Sequence, residues 1–450
     1  MDTLAQLRAG RLAGATRLDL SCGLTAFPRE IFDLADSLEV LNLTGNALTE
    51  LPDDLHRLHR LRVLFCSDNR FTELPAALGR CAGLDTVGFK ANRIRTVPEA
   101  SLPSSLRWLI LTDNVIEDLP ASIGRCTGLQ KLMLAGNQLQ ALPQTLADCR
   151  NLELVRLAAN RFNALPGVLS ALPRLAWLAM AGNPWNAARE SAATASQDAQ
   201  SIDIAQLQLA QVVGEGASGV IHRAQWHEVA GAVPMPVAVK LFKGAVTSDG
   251  WPRSEMAACL AAGAQANLIA VRGRLTGHPQ GNQGLVLDWV DTGCFANLAG
   301  PPSLASCTRD VYPVDARWPL SRALRLARGI AAAAAHLHAR GILHGDLYAH
   351  NILWNAAGDG LLGDFGAATL LPDDPVARLA LQRIEVRAFG CLLEELLAHC
   401  DNAAAPREAE AHAAMIRLRD RCLQPDATAR PLFDAISTTL ADIDRSLSPA

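Results

Sequence analysis

Seven asparagines recur through the first part of the chain: Asn46, Asn69, Asn92, Asn114, Asn137, Asn160 and Asn183, at spacings of 23, 23, 22, 23, 23 and 23 residues. Each follows an alternating apolar run, as in "LEVLNLTGNALTELP", "LRVLFCSDNRFTELP", "LRWLILTDNVIEDLP" and "LQKLMLAGNQLQALP". An earlier copy, "RLDLSCGLTAFP", is one residue short and offers Cys22 near the Asn position. A period of this kind permits few folds. One copy cannot bury its own apolar face, so successive copies must stack. The period-2 apolar residues predict a short strand with inward side chains. A buried carboxamide at the bend can satisfy backbone groups from turn to turn. The proline after each leucine suits an irregular return segment better than a long helix.

Period and pattern together resemble a leucine-rich-repeat array over residues 15–185, an α/β solenoid of about eight 23-residue turns. Cys81, Cys126 and Cys149 each fall twelve residues after a ladder Asn, the offset that also holds Leu58 and Leu172. They therefore read as small buried hydrophobes rather than metal or redox ligands. The outward strand positions form two columns. Trp108, Ile110, Met133, Leu154 and Trp177 are expected to make an apolar strip on the concave face, with Lys131 and Arg156 beside it. Such a strip suits a protein partner; the competing expectation is that the chain's own second half covers it.

The bulk properties exclude some functions. The net charge is −4 with a pI near 6.3, which argues against a dominant electrostatic grip on nucleic acid or an anionic membrane. No apolar stretch approaches the roughly 20 residues that span a bilayer. The start, "MDTLAQLRAGRLAG", has no continuous apolar core, so no secretory leader is expected. Eleven cysteines with no CxxC pair fit a reduced, cytoplasmic thiol population.

After residue 185 the chain changes character. "NAARESAATASQDAQ" is small, polar and aperiodic and is expected to open a linker, 186–205, between a first domain at 1–185 and a second at 206–450. The second domain carries the chemistry. Gly214, Gly216 and Gly219 give G-x-G-x-x-G, followed by Ile221. A lone match also occurs in dinucleotide-binding folds, but those need a helix next and then an acid. Here "VPMPVAVKLF" puts Lys240 on a strand-like run 21 residues after the last glycine. Glu255 follows fifteen residues later in "SEMAACLAAGA", a good helix former. "GLVLDWV" reads as an apolar strand ending at Asp288, Trp289 and Val290. "HGDLYAHNILW" places Asp346 five residues before Asn351, and "GDFG" places Asp364 eighteen residues after Asp346.

These residues resemble the protein-kinase pattern over 206–445. With the repeats, the whole chain resembles a bacterial-type leucine-rich-repeat protein kinase. The resemblance implies a two-lobed α+β domain that uses ATP and Mg²⁺. It implies a glycine loop (Gly214, Gly216, Gly219, Ile221) over the phosphates and Lys240 aimed at them by Glu255. It implies adenine contacts at Asp288 and Val290 beyond a gatekeeper Leu287, Asp346 as catalytic base, and Asn351 and Asp364 as metal ligands. "RAFGCLLEELL" and "RCLQPDATARP" resemble the central helix and closing segment of the large lobe. A Ser/Thr acceptor is implied only by the family.

Three departures stand out. Gly345 replaces the arginine that commonly pairs with an activation-loop phosphate, so activity independent of such phosphorylation is expected. Tyr348 stands where a lysine usually touches the γ-phosphate. From Asp364 to Glu385 there are only 21 residues, too few for a full activation loop, and no Ala-Pro-Glu segment occurs. Arg430 then lacks its usual glutamate; Glu385 or Asp426 are the available substitutes. Two alternatives stay open: a nucleotide-binding scaffold acting through its repeats, and a small-molecule phosphotransferase of the aminoglycoside or choline kinase type.

Overall fold

A polar side chain inside a repeat core must satisfy all its hydrogen bonds or cost the fold dearly, and the ladder asparagines do so across neighbouring copies. In the computed structural model, which describes residues 3–195, 200–216, 218–228, 233–244, 246–402 and 405–447, Asn137 Nδ2 donates to the Leu111 and Leu134 carbonyls. Its Oδ1 accepts the Ile116 N–H. Asn69, Asn114 and Asn160 repeat the trio at equivalent positions. In the short first copy the Cys22 N–H itself donates to Asn46 Oδ1. Cys81, Cys126 and Cys149 are buried, and burial raises the first two thiol pKa values to about 11 and the third to about 12.

Helix α1 (Thr3–Arg8) precedes the repeats. The strands are β1 (Arg17–Asp19), β2 (Val40–Asn42), β3 (Val63–Phe65), β4 (Thr86–Gly88), β5 (Trp108–Ile110), β6 (Lys131–Met133) and β7 (Leu154–Arg156). They pair in parallel and in register, Val40 to Val63 to Thr86 to Trp108 to Lys131 to Leu154. The return segments are single 3₁₀ turns, six of them preceded directly by a proline, from Pro28 to Pro166. Proline fixes its own φ and lacks an N–H, so it ends the preceding extended run without leaving a donor unpaired. Two-column register on the strand face is as expected, but its exposure is not. Trp108, Ile110 and Met133 are half-buried, whereas Lys131, Leu154 and Arg156 are buried. Lys131 Nζ sits 4.4 Å over the Trp108 ring, and Trp108 Nε1 donates to Met133 Sδ at 3.2 Å. The expected open strip is therefore reduced to the Trp108, Ile110 and Met133 side chains.

The chain divides into two compact units: Met1–Leu175 with Asn183–Trp185, and Ala176–Gly182 with Asn186–Ala450. The strand of the eighth repeat, β8 (Trp177–Ala179), thus belongs to the second unit. So does much of the stretch expected to be a polar linker, 186–205; its residues 196–199 lie outside the described residues. Helix α2 occupies Ala187–Ala195, and β9 (Ser201–Asp203) lies parallel to β13 (Val271–Thr276) with Ile202 buried. Asp203 and Gln206 close a capping box at the turn that follows. The linker expectation is corrected because polar contacts, not an apolar period, fix this stretch: Glu190 Oε1 accepts from Gly182 N at 2.7 Å and Oε2 from Ser254 Oγ at 2.7 Å.

The rest of the small lobe is a sheet in the order β10 (Leu207–Glu215), β11 (Gly219–Trp226), β12 (Met235–Phe242), β14 (Gly284–Asp288), β13, β9, with α3 (Pro252–Ala262) as its helix. The large lobe is helical: α4 (Leu320–Ala339), α5 (Pro375–Ala398), α6 (Pro406–Cys422) and α7 (Phe433–Leu447). Its short strands are β15 (Ala296–Asn297), β16 (Ile342–Leu343), β17 (Ile352–Trp354), β18 (Gly360–Leu362) and β19 (Thr369–Leu370). β15, β17 and β18 form one sheet, β16 and β19 another. Helix α5 begins at Pro375, where Asp374 Oδ2 caps the Ala377 N–H. This is a leucine-rich-repeat region followed by a two-lobed kinase fold.

Replacing Asn137 by Ala orphans the buried Ile116 N–H and takes one of two amide donors from each of the Leu111 and Leu134 carbonyls, which keep Asn114 and Asn160; it is expected to cost the repeat unit about 2 kcal/mol. Asn151→Ala, at an exposed amide that bonds Thr127 O, is expected to cost less than about 0.5 kcal/mol. Urea denaturation of the two variants checks the difference.

Candidate active site

Strand alternation and register place the first group. On β12, Lys240 stands opposite Ile221 of β11 and Leu285 of β14. Pro252 occupies the first turn of α3, where its missing N–H costs nothing, and Glu255 lies in the same turn, where a carboxylate meets the positive helix end. Glu255 Oε1 and Lys240 Nζ form a direct ion pair, with side chains only 3% and 11% exposed. Burial alone would lower the Lys240 pKa, but the carboxylates of Glu255 and Asp364 outweigh it and hold the ammonium above its ordinary value. The lysine is charged throughout the neutral range.

Above it, β10 and β11 form a hairpin. Its turn is closed by Gly216 N to Gly219 O at 2.9 Å, and Gly214 pairs with Ile221. A Cβ on Gly219 would lie 2.5 Å from Leu241 O, so no larger residue fits there. Gly216 has open space around its Cα. Gly216, Gly219, Ile221, Lys240, Glu255 and Asp364 line one cavity, whose apolar wall includes Leu285 and Leu287. A polar end with an apolar wall is what a ligand with a ring and an anionic tail requires. Asp288 and Val290 line a neighbouring cavity that shares Ile269 with the first. Asp288 also pairs with Arg272, and its N–H is taken by Ala270 O at 2.9 Å.

The loop between β16 and β17 carries the second group. His344 is buried and bonds Gly363 O at 2.9 Å through Nε2. Asn351 Nδ2 donates to Asp346 O and to Asp346 Oδ2, both at 2.9 Å. The bonded amide nitrogen leaves Asn351 Oδ1 as its acceptor face. Gly363 N donates to Asn351 O at 2.9 Å, which ties this loop to Asp364 one residue on. Asp364 has φ +52°, and its Oδ1 accepts the Gly366 N–H at 3.1 Å. A non-glycine residue held in the left-handed region costs energy that the surroundings must offset, and such residues concentrate at functional sites. Phe365 is buried 5.1 Å from the His344 ring.

Several partners have no sequence signal. Asp310 receives the His350 N–H and bonds His350 Nδ1 at 2.7 Å. Burial alone would lower the His350 pKa; Asp310, and then Asp346 and Asp364, raise it. Glu385 accepts from Gly345 N at 2.6 Å and bonds His338 Nε2 at 2.7 Å. It is thus a support for the Asp346 loop, not the substitute partner expected for Arg430, whose guanidinium bonds Gln424 O and Arg383 O. Trp177, expected on an open partner face, is 1% exposed. Its ring stacks on Tyr348 at 4.1 Å, and its Nε1 donates to Leu347 O at 3.1 Å.

Residues 207–387 match the protein tyrosine and serine/threonine kinase family, and residues 37–58 match the leucine-rich repeat. The chain is 25% identical to serine/threonine-protein kinase A-Raf of Sus scrofa over 286 residues, 54% of this chain and 44% of the relative. It is 33% identical over 213 residues to the probable inactive leucine-rich repeat receptor kinase XIAO of Oryza sativa subsp. japonica, 41% of this chain and 18% of the relative. A serine/threonine-protein kinase US3 homolog of bovine herpesvirus 1.2 is 32% identical over 124 residues, 23% of this chain and 27% of the relative. The chain spans less than half the length of these curated relatives. It carries leucine-rich repeats and a protein-kinase domain. Among the described residues no helix is long and apolar enough to cross a membrane.

Removing one member of a buried ion pair leaves the other uncompensated. Glu255→Ala is expected to destabilise the small lobe by about 3 kcal/mol. Lys243→Ala, which breaks a pair with Glu215 whose side chains are 43% and 63% exposed, is expected to leave the denaturation midpoint nearly unchanged, because water screens an exposed pair. Chemical denaturation of the two variants reads the contrast.

Proposed function

We propose that this chain transfers the γ-phosphoryl group of Mg²⁺-bound ATP to a hydroxyl of a protein, and that its repeat region selects that protein. The observation that carries the reading is the buried Lys240–Glu255 pair, which faces the same cavity as Asp364 under a glycine hairpin. Phosphoryl transfer needs placement and charge neutralisation more than covalent chemistry, and these groups supply both. Gly214, Gly216 and Gly219 let backbone N–H groups approach phosphate oxygens. Lys240, kept charged and aimed by Glu255, meets the α- and β-phosphates. Leu285 and Leu287 take the ring, with main-chain groups of Asp288 and Val290 completing its recognition.

Asp364 and Asn351 Oδ1 are the oxygen donors for Mg²⁺. Two protein oxygens suit an ion that keeps several waters and shares phosphate ligands. Bound there, the ion neutralises charge that develops on the phosphates. Asp346 orients the acceptor hydroxyl and takes its proton. Asn351 holds the Asp346 carboxylate in place through Nδ2.

Family likeness favours a Ser/Thr acceptor. The eleven free cysteines favour a cytoplasmic site of action. Trp108, Ile110 and Met133, with Lys131, Leu154 and Arg156 behind them, are the surface we assign to the protein partner. A second reading, a nucleotide-binding scaffold, is favoured by Tyr348 in place of a lysine and by the short run from Asp364 to Pro375, 375 − 364 = 11 residues.

Incubation of the full chain with γ-labelled ATP and Mg²⁺, alone and with generic protein substrates, separates the readings. Label is expected on protein, dependent on Mg²⁺, and reduced about 100- to 10,000-fold in Asp346→Ala. Label only on a small alcohol or sugar supports a small-molecule phosphotransferase. Nucleotide-induced thermal stabilisation without turnover supports the scaffold.

A further inference from the structure

The Asp346 loop of this unit is held on one side by residues 177–180. Three contacts bracket Asp346 in sequence. Before it, Gly345 O accepts the Leu178 N–H at 3.2 Å. After it, Leu347 O accepts Trp177 Nε1–H at 3.1 Å. Next to that, Tyr348 lies against the Trp177 indole with ring centroids 4.1 Å apart and planes 7° from parallel. A fourth contact, Met180 N to Thr369 Oγ1 at 3.1 Å, fixes the same segment to β19, which pairs with β16 at the base of the loop. Trp177 and Tyr348 are both buried.

Gly345 fits this arrangement and little else. Its φ is +74°, and a Cβ there would lie 2.6 Å from Leu178 O and 2.7 Å from Ala367 O. Only glycine admits the Leu178 backbone at this distance. The residue that departs most plainly from the kinase pattern is thus the one that lets the 177–180 segment reach the loop. The segment between Asp364 and Pro375 is too short to form a platform on this side, and Trp177 stands where the loop is supported.

We infer that Trp177 is a positioning residue for phosphoryl transfer: stacked on Tyr348 and bonded to Leu347 O, it holds the Asp346 carboxylate in register with the nucleotide site, a role an activation segment otherwise serves. The inference rests on the kinase reading given above. Trp177 does not line the Lys240 cavity, so it acts on the acceptor side and not on nucleotide affinity. A displacement of about 1 Å in a catalytic group can cost about 100-fold in rate.

The test uses full-length wild type, Trp177→Ala, Trp177→Phe, Tyr348→Ala and the Trp177→Ala/Tyr348→Ala double variant. Calorimetry with Mg²⁺-ADP gives the number of competent nucleotide sites, and label transfer from ATP is expressed per site. Trp177→Ala is expected to lose about 100-fold in kcat per site, with KM for ATP within about twofold of wild type. Trp177→Phe, which retains a stackable ring, is expected to recover most of the loss. The double variant is expected to be no worse than the poorer single variant, since both remove one stack. A merely structural role would lower the number of competent sites and leave kcat per site unchanged; that outcome overturns the inference, as does unchanged or raised turnover in Trp177→Ala. Wild type that binds nucleotide but transfers no label overturns the kinase reading itself, and the positioning role falls with it.

Discussion

At Gly345 the protein has no room for a side chain. The backbone turns through a left-handed conformation there, with two carbonyl oxygens, Leu178 O and Ala367 O, within 2.7 Å of where a Cβ would stand. An L-residue would have to bear both the conformational penalty, of order 1 kcal/mol or more, and a backbone clash that no rotamer relieves. What the glycine permits is a loop clamped from both sides. Glu385 receives the Gly345 N–H, and the Gly345 carbonyl receives Leu178 N–H. Asp346 is the next residue, so its main chain inherits the rigidity of both contacts. Asn351 then fixes its carboxylate.

Charge organises the facing wall by a different balance. Lys240 and Glu255 leave water almost completely, and desolvation of that kind roughly cancels the attraction between them. The pair is therefore weak support for stability but a strong constraint on where the ammonium points. Asp364 adds a second carboxylate near the same lysine, and Asp346 a third on the opposing loop. Asp249 lines the same cavity, so the one ammonium of Lys240 faces the carboxylates of Glu255, Asp364 and Asp249 there, with Asp346 beyond them, and the cleft is net anionic. A polyphosphate, itself an anion, is repelled from such a site unless a divalent cation accompanies it, which is the physical reason the kinase reading and Mg²⁺ stand together.

Much of this was legible in the residues because it is periodic or locally spaced. The ladder asparagines announce themselves at 23-residue intervals since every turn must solve the same backbone problem. Lys240, Glu255, Asp364 and the glycine run were named through their resemblance to the protein-kinase pattern; strand alternation on β12 and the first turn of α3 account for the meeting of Lys240 with Glu255. The misses share a cause as well. Helix α2 buries none of its residues, so it has no apolar stripe to betray it; Glu190 fixes it through two polar bonds to residues 8 and 64 positions away. Asp310 meets His350 across 40 residues. Trp177 was placed in the correct strand column, but no local pattern says what a column faces, and its partner Tyr348 lies 171 positions on (348 − 177).

The segments 177–182 and 187–195 bear on both the Lys240–Glu255 pair and the Asp346 loop. Glu190 joins Gly182 N to Ser254 Oγ, and Ser254 is the neighbour of Glu255, which aims Lys240. Five residues before Gly182, Trp177 rests on the loop that carries Asp346. Each such hydrogen bond contributes about 1 kcal/mol net, more when a carboxylate accepts it. A rearrangement of this short stretch that breaks the Glu190 pair and the Leu178 and Trp177 contacts together therefore changes the energy of the assembled site by several kcal/mol. That is within the range that sets the populations of two conformations at a ratio of a hundred or more. The Lys240 cavity and the Asp346 loop are then not independent: what fixes α3 also fixes the Asp346 loop, because one continuous piece of chain, the end of the repeat sequence, supplies the support for both.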